Sequence, residues 1–99
     1  MKFLALEHES PDARPDDFAP YLIAEARRVW ELQQADVIRA AYFRADRDEA
    51  VLELECASLE EACRVLESLP LVEAGLISFD VIPLRPYPGL SRLFAESDS

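Results

Sequence analysis

The residues whose types could do chemistry are few. Glu53 and Glu55 stand two apart in the run Ala50-Val51-Leu52-Glu53-Leu54-Glu55-Cys56, so both lie on one face of a strand whose other face is apolar. A carboxylate in a partly dry chamber can take a proton from carbon, which makes both base candidates. His8, the single histidine, can shuttle protons, and Tyr42 can donate one. These four are the candidate catalytic groups. Arg39 carries a planar fork suited to holding a carboxylate, and Trp30, with Tyr21, can wall a pocket for a small molecule. Each also has a plainer role. The two glutamates can be solvated strand residues, and His8 a hydrogen-bonded residue at a strand end. Arg39 can pair with Glu53, Glu55 or Asp80. Tyr42 and Trp30 can simply pack, and Cys63 reads as inert core.

The elements that must position these groups follow from hydropathic periodicity. Lys2 to His8 reads as a strand, with Phe3, Ala5 and Glu7 on one face and Leu4, Leu6 and His8 on the other. A proline- and acid-rich loop follows, in which Asp16 or Asp17 can cap a helix running from about Phe18 to Ala35. Phe18, Leu22, Ala26, Val29 and Leu32 or Gln33 form its buried stripe, and Glu25–Arg28 and Arg27–Glu31 are expected surface pairs. Val37 to Ala45 is a second strand and Ala50 to Cys56 a third. Ser58 and Glu61 have capping-box spacing before a second helix carrying Leu59, Ala62, Cys63, Leu66 and Leu69 on one stripe. Pro70 ends that helix, Gly75 permits a turn, and Ile77, Phe79 and Val81 alternate with Ser78, Asp80 and Ile82 in a last strand.

Strand, helix, strand, strand, helix, strand is the split βαβ pattern of an α+β, ferredoxin-like sandwich. It predicts a four-stranded antiparallel sheet over residues 1–84, with the first and third strands central and both helices on one face. Residues 85–99 then form a C-terminal tail. Its apolar Tyr87, Leu90, Leu93 and Phe94 are suited to docking on a neighbouring subunit, and Ala95 to Ser99 are expected to fray.

Composition narrows the function classes. The chain has 99 residues, 51% of them hydrophobic, enough for one two-layer core. Twenty acidic side chains against ten basic ones leave a net charge of −10, which repels phosphate backbones and anionic membranes. Nucleic acid and membranes are therefore not expected partners. The N-terminus lacks the long apolar stretch of a signal peptide, and no segment approaches a membrane span in length. Cys56 and Cys63 form neither a CxxC nor a zinc-ligand pattern, so a reduced, cytoplasmic protein without a metal site is expected.

Two helices cover only one face of a four-stranded sheet. The other face collects Val51, Glu53, Glu55, Ser78, Asp80 and Ile82, joined by Leu4, Leu6 and His8. It also takes either Arg39 with Phe43, or Ile38 with Tyr42 and Arg44, depending on whether the second strand carries a bulge. Such a mixed face fits a homodimer or higher homo-oligomer in which a second sheet closes a chamber.

Ser58-Leu59-Glu60-Glu61-Ala62, the helix end Ser68-Leu69-Pro70-Leu71, and Glu31-Leu32-Gln33 leading into Val37-Ile38-Arg39 together resemble the muconolactone Δ-isomerase family, across roughly residues 20–84. The wider resemblance is to dimeric α+β barrel proteins. It implies face-to-face sheet dimers, a small-molecule site between sheet and helices, and proton-transfer isomerisation of a small carboxylated lactone or related ring in aromatic catabolism, without metal or cofactor. The extra acidic loop and the PYPGLSRLF tail depart from that family's pattern. A non-catalytic ligand-binding or assembly module is the alternative, and a cofactor-free oxygenase is a further one.

Overall fold

The computed structural model describes residues 1–95. Its strands are β1 (Lys2–Glu9), β2 (Ile38–Phe43), β3 (Ala50–Glu55) and β4 (Ile77–Leu84). They form one sheet in the order β2-β3-β1-β4, with every pairing antiparallel. Its helices are α1 (Pro15–Phe18), α2 (Leu22–Gln34), α3 (Leu59–Glu67), α4 (Pro70–Glu73) and α5 (Arg92–Ala95). The βαββαβ order, the central pair β1 and β3, and the two long helices on one face all follow the pattern of hydropathy. Phe3, Ala5, Leu52 and Leu54 on the inner face pack with Leu32 of α2 and with Ala62 and Leu66 of α3.

The first helix differs from expectation in two ways. Pro20 offers no N–H, so the chain passes through a 3-10 turn at Ala19–Tyr21, closed by Leu22 N–H donating to the Ala19 carbonyl, before α2 begins. α1 is preceded by Arg14 rather than by an aspartate; the Asp17 carboxylate accepts from Arg14 N–H at 2.9 Å. On α2 the buried stripe runs through Glu25, Val29 and Leu32, and Ala26 is exposed. At the start of α3 the Ser58 hydroxyl accepts from Glu61 N–H at 3.1 Å, while the Glu61 carboxylate reaches one residue further back, to Ala57 N–H at 2.6 Å.

Both helical layers end in the same device. After α2, Val37 N–H donates to the Leu32 carbonyl and Asp36 N–H to that of Gln33, with Asp36 at φ 61°. After α4, Leu76 N–H donates to Leu71 and Gly75 N–H to Val72, with Gly75 at φ 76°. This is the Schellman closure twice over, each time delivering an apolar residue into the next strand. One copy uses glycine, the other an aspartate with a Cβ in the left-handed region. Asp36→Gly is therefore expected to stabilise the chain by about 0.5–1 kcal/mol, read as a raised midpoint in urea with an unchanged slope.

β2 carries a bulge between Ile38 and Ala40. Ile38 opposes Leu54 on the inner face, and beyond the bulge Ala41 opposes Leu52 and Phe43 opposes Ala50 on that same face. Ala40 and Tyr42 therefore turn to the open face, with Arg39 as the extra residue between. Neither expected pairing holds in full: Tyr42 faces out without Ile38, and Phe43 faces the helices without Arg39.

Beyond Leu84 the chain leaves the body as an arm made of a 3-10 turn (Pro88–Ser91) and α5. The molecule measures 63 × 29 × 20 Å, with a radius of gyration of 16.9 Å. A compact chain of this length would have a radius near 13 Å. Tyr87, Leu90, Leu93 and Phe94 are all exposed. Apart from Ala95, which closes α5, the segment expected to fray lies outside the described residues.

Candidate functional site

The inner face of the sheet is filled at one end and hollow at the other. Phe3, Ile38 and Leu54 pack one end solidly. At the opposite end the inner positions are Glu7, Ala41 and Ala50, which are short or polar, and α2 begins with Leu22 still half exposed. A cavity of ≈ 440 Å³ results between sheet and helix, walled by Leu22, Val29, Leu52, Leu71, Phe43 and Phe79. Glu7 and Glu25 line it, and Glu9 and Asp48, both exposed, also border it.

Each interior carboxylate is held by one backbone donor. The β1–β3 ladder reaches only Leu6–Val51, and the Glu7 carboxylate takes the next strand N–H, that of Ala50, at 2.9 Å. The Glu25 carboxylate accepts from Leu71 N–H at 3.0 Å, one of the donors that the first turn of α4 leaves unpaired. Burial raises the Glu7 carboxyl above its ordinary range; the Ala50 bond opposes this, and the negative charges of Glu9, Glu49 and Glu25 add to it. Burial also raises the Glu25 carboxyl, against the Leu71 bond. Two carboxyl groups raised by burial thus line one apolar hollow, an arrangement suited to general acid–base chemistry.

The groups read from sequence lie elsewhere. Glu53 pairs with the Lys2 ammonium at 2.6 Å on the open face. Glu55 meets the N-terminal amine at 2.5 Å, and that contact holds its carboxyl below the ordinary range, which weakens it as a base. Arg39 donates from Nε to the Asp36 carbonyl at 2.8 Å, and its charge acts on Glu55. Glu53, Glu55 and Arg39 therefore gather at one end of the open face. His8 lies toward the other end, its Nε2 2.6 Å from the Asp80 carboxylate. Tyr42 borders the cavity from between Ala41 and Phe43, with its ring on the outer side and 66% exposed. Trp30 is 60% exposed on α2 and does not line the cavity. A second hollow of ≈ 620 Å³, bounded by Lys2, Glu55, Leu84 and Arg85, lies where the arm departs. It is the larger of the two, but no buried carboxyl lines it.

Glu7 and Glu25 are not among the groups read from sequence, but each carries a signal there. Glu7 continues the inward alternation Phe3, Ala5, Glu7. Glu25 fits the helical spacing Phe18, Leu22, Glu25, Val29, Leu32. Its expected partner Arg28 instead donates to the Ser68 hydroxyl at 3.0 Å and to Glu31 at 3.3 Å. Among the described residues, no group of three His, Cys, Asp or Glu side chains is placed to hold a metal ion, and no helix is long and apolar enough to cross a membrane.

The order of strands, the single covered face and the hollow between sheet and helix define a ferredoxin-like α+β sandwich. No protein-family model matches the chain, and no curated protein matches its sequence. Among solved structures it is similar to 5-chloro-2-hydroxyhydroquinone dehydrochlorinase from Burkholderia phenoliruptrix, determined in complex with 2,5-dihydroxybenzoquinone. The TM-score is 0.63, over 86% of this chain and 94% of that one, at 20% identity. At this identity the likeness is one of fold.

Proposed function

We propose that the cavity is a small-molecule site in which Glu7 and Glu25 move protons on an uncharged lactone or related oxygenated ring. The observation that carries this is the pair of backbone-anchored carboxyl groups, both raised by burial, in one apolar hollow. Glu7 is 7% exposed and has three further carboxylates acting on it, so it is assigned as the protonated group that hydrogen-bonds the ring carbonyl. Glu25, half buried and without those neighbours among its causes, is assigned as the base. Ionised Glu25 removes the proton from the saturated ring carbon at the far end of the double bond that is conjugated with the carbonyl. The electron pair moves through that double bond onto the carbonyl oxygen, giving a dienolate stabilised by Glu7. The proton then returns to the carbon beside the carbonyl, and the double bond has moved.

The ring is assigned no carboxylate because every charged residue lining the cavity is acidic. Arg39, expected to hold such a group, does not line it. The neighbour's ligand, a small oxygenated ring, supports the size and class. The competing assignment keeps Glu53, Glu55, His8 and Tyr42 as catalytic groups and Arg39 and Trp30 as ligand holders, in a chamber closed by a second copy on the open face.

One experiment separates these readings. β-Angelica lactone has a methyl group where muconolactone has a carboxymethyl group. Each is incubated with the protein in heavy water, and double-bond migration and deuterium uptake are followed by NMR. Conversion of β-angelica lactone faster than muconolactone, unaffected by Glu53→Gln or Glu55→Gln, is the expected result. Preference for muconolactone, lost in Arg39→Ala, moves the site to the open face. No conversion and no exchange with either compound leaves a binding module.

A further inference from the structure

We infer that Glu9 and Asp48 select the ligand by charge, turning anionic rings away at the cavity mouth while neutral and cationic rings pass. This rests on the cavity being the functional site proposed above, and adds what decides entry to it. Glu9 ends β1, two residues beyond Glu7 and on the same inward face. Asp48 lies in the turn between β2 and β3, two residues before Ala50, whose N–H holds the Glu7 carboxylate. β1 and β3 are antiparallel neighbours, so both acids stand at the same end of the sheet, at the border of the hollow. Both are exposed, unlike Glu7 and Glu25.

Among the described residues no lysine or arginine lines the cavity to offset them. The turn that carries Asp48 has two arginines, but both lie against its other acids. Arg44 is 2.6 Å from Asp46 and 3.8 Å from Glu49, and Arg47 is 3.5 Å from Glu49. His8, next to Glu9 in sequence, is on the opposite face, 2.6 Å from Asp80. The field of the mouth reaches inward, because the negative charge of Glu9 is one of those that raise the Glu7 carboxyl. A carboxylate entering the hollow would meet that same field, in an apolar space that screens it less than water does. A neutral ring is indifferent to it, and an ammonium is drawn in. Glu7 and Glu25 contribute less to this selection, since burial favours their protonated, uncharged form.

Three unreactive rings of one size test this: benzyl alcohol, benzylammonium and benzoate. Their binding is followed by NMR through the methyl groups of Leu22, Val29 and Leu71, which wall the cavity. The parent should bind benzoate about 10-fold more weakly than benzyl alcohol, and benzylammonium at least as tightly as the alcohol. In Glu9→Gln/Asp48→Asn, benzoate should gain about 10-fold and benzylammonium lose about as much, with benzyl alcohol unchanged. Glu60→Gln/Glu67→Gln removes two charges from exposed positions of α3, which does not line the cavity, and should leave all three affinities as in the parent. Equal binding of benzoate and benzyl alcohol by the parent overturns the inference, and so does failure of all three to bind. No gain for benzoate in the mouth variant overturns it too, as does an equal gain in both variants, which would assign selection to the net charge of the chain. Because the probes do not react, a protein that isomerises nothing can still show this selection. Loss of the selection with lactone turnover intact would leave the proposed reaction standing.

Discussion

Glu25→Gln will slow proton exchange by about 10²–10⁴-fold, the usual contribution of a positioned base, and will make the protein more stable at neutral pH. Both effects have one origin. Burial raises the Glu25 carboxyl above its unfolded value, so the folded chain holds that proton more tightly than the unfolded chain does. Below about pH 4, near the unfolded value, both states are protonated and the full stability is present. As pH rises from there through the higher folded value, the unfolded chain releases its proton first and stability is lost. Glutamine has no proton to lose, and its carbonyl oxygen can still accept from Leu71 N–H. The variant should therefore match the parent in acid and exceed it in melting temperature above that window. Glu7→Gln should show the same sign for the same reason, since its carboxyl is also raised and its amide can still accept from Ala50. Its rate loss should be the smaller, because an amide N–H still donates to the ring oxygen. The parent's rate should rise with pH as Glu25 ionises and fall as Glu7 does. A Glu25→Gln variant less stable than the parent at neutral pH would mean that the carboxylate is a structural anchor rather than a strained catalytic group.

The fold was more legible than the site because periodicity reports faces, and faces are what burial selects. Phe3, Ala5 and Glu7 alternate inward as read, and Leu52 and Leu54 meet the helices as read. The bulge at Arg39 carried no signal: no glycine marks it, and only the register shows that Tyr42 turns outward while Phe43 turns in. Buried carboxyls are hard to read from sequence, because charge ordinarily signals exposure. Glu25 lies on the stripe at helical spacing, but the apolar Ala26 beside it carries the stronger hydropathic signal. A carboxylate can occupy such a position only where a backbone donor waits, and the first turn of α4, which brings Leu71 N–H to Glu25, depends on a helix–helix contact that no local pattern encodes. The half-buried carboxylates Glu53 and Glu55 are conspicuous in the sequence, and each has a cation beside it.

Phe3 and Leu4 are neighbours in sequence on opposite faces of β1, and their truncations should diverge. Phe3 is fully buried between sheet and helices at the solid end of the core. Phe3→Ala removes that packing and leaves a cavity where the surroundings cannot collapse, a loss of about 3–5 kcal/mol. Against a total of roughly 5–15 kcal/mol for a domain, that approaches unfolding, and it should not depend on protein concentration. Leu4 is half buried on the open face, beside Glu53 and Ile82. In a single chain its truncation loses little, because water already reaches part of it. If a second sheet covers that face, as in the homodimer expected from the sequence, Leu4→Ala uncovers apolar surface between two copies, and its cost appears as a melting temperature that falls further on dilution than the parent's. The decisive quantity is the dilution dependence in the two variants: steep for Leu4→Ala and absent beyond the parent's own for Phe3→Ala. Equal, concentration-independent behaviour in both would leave the open face in water and confine any association to the arm.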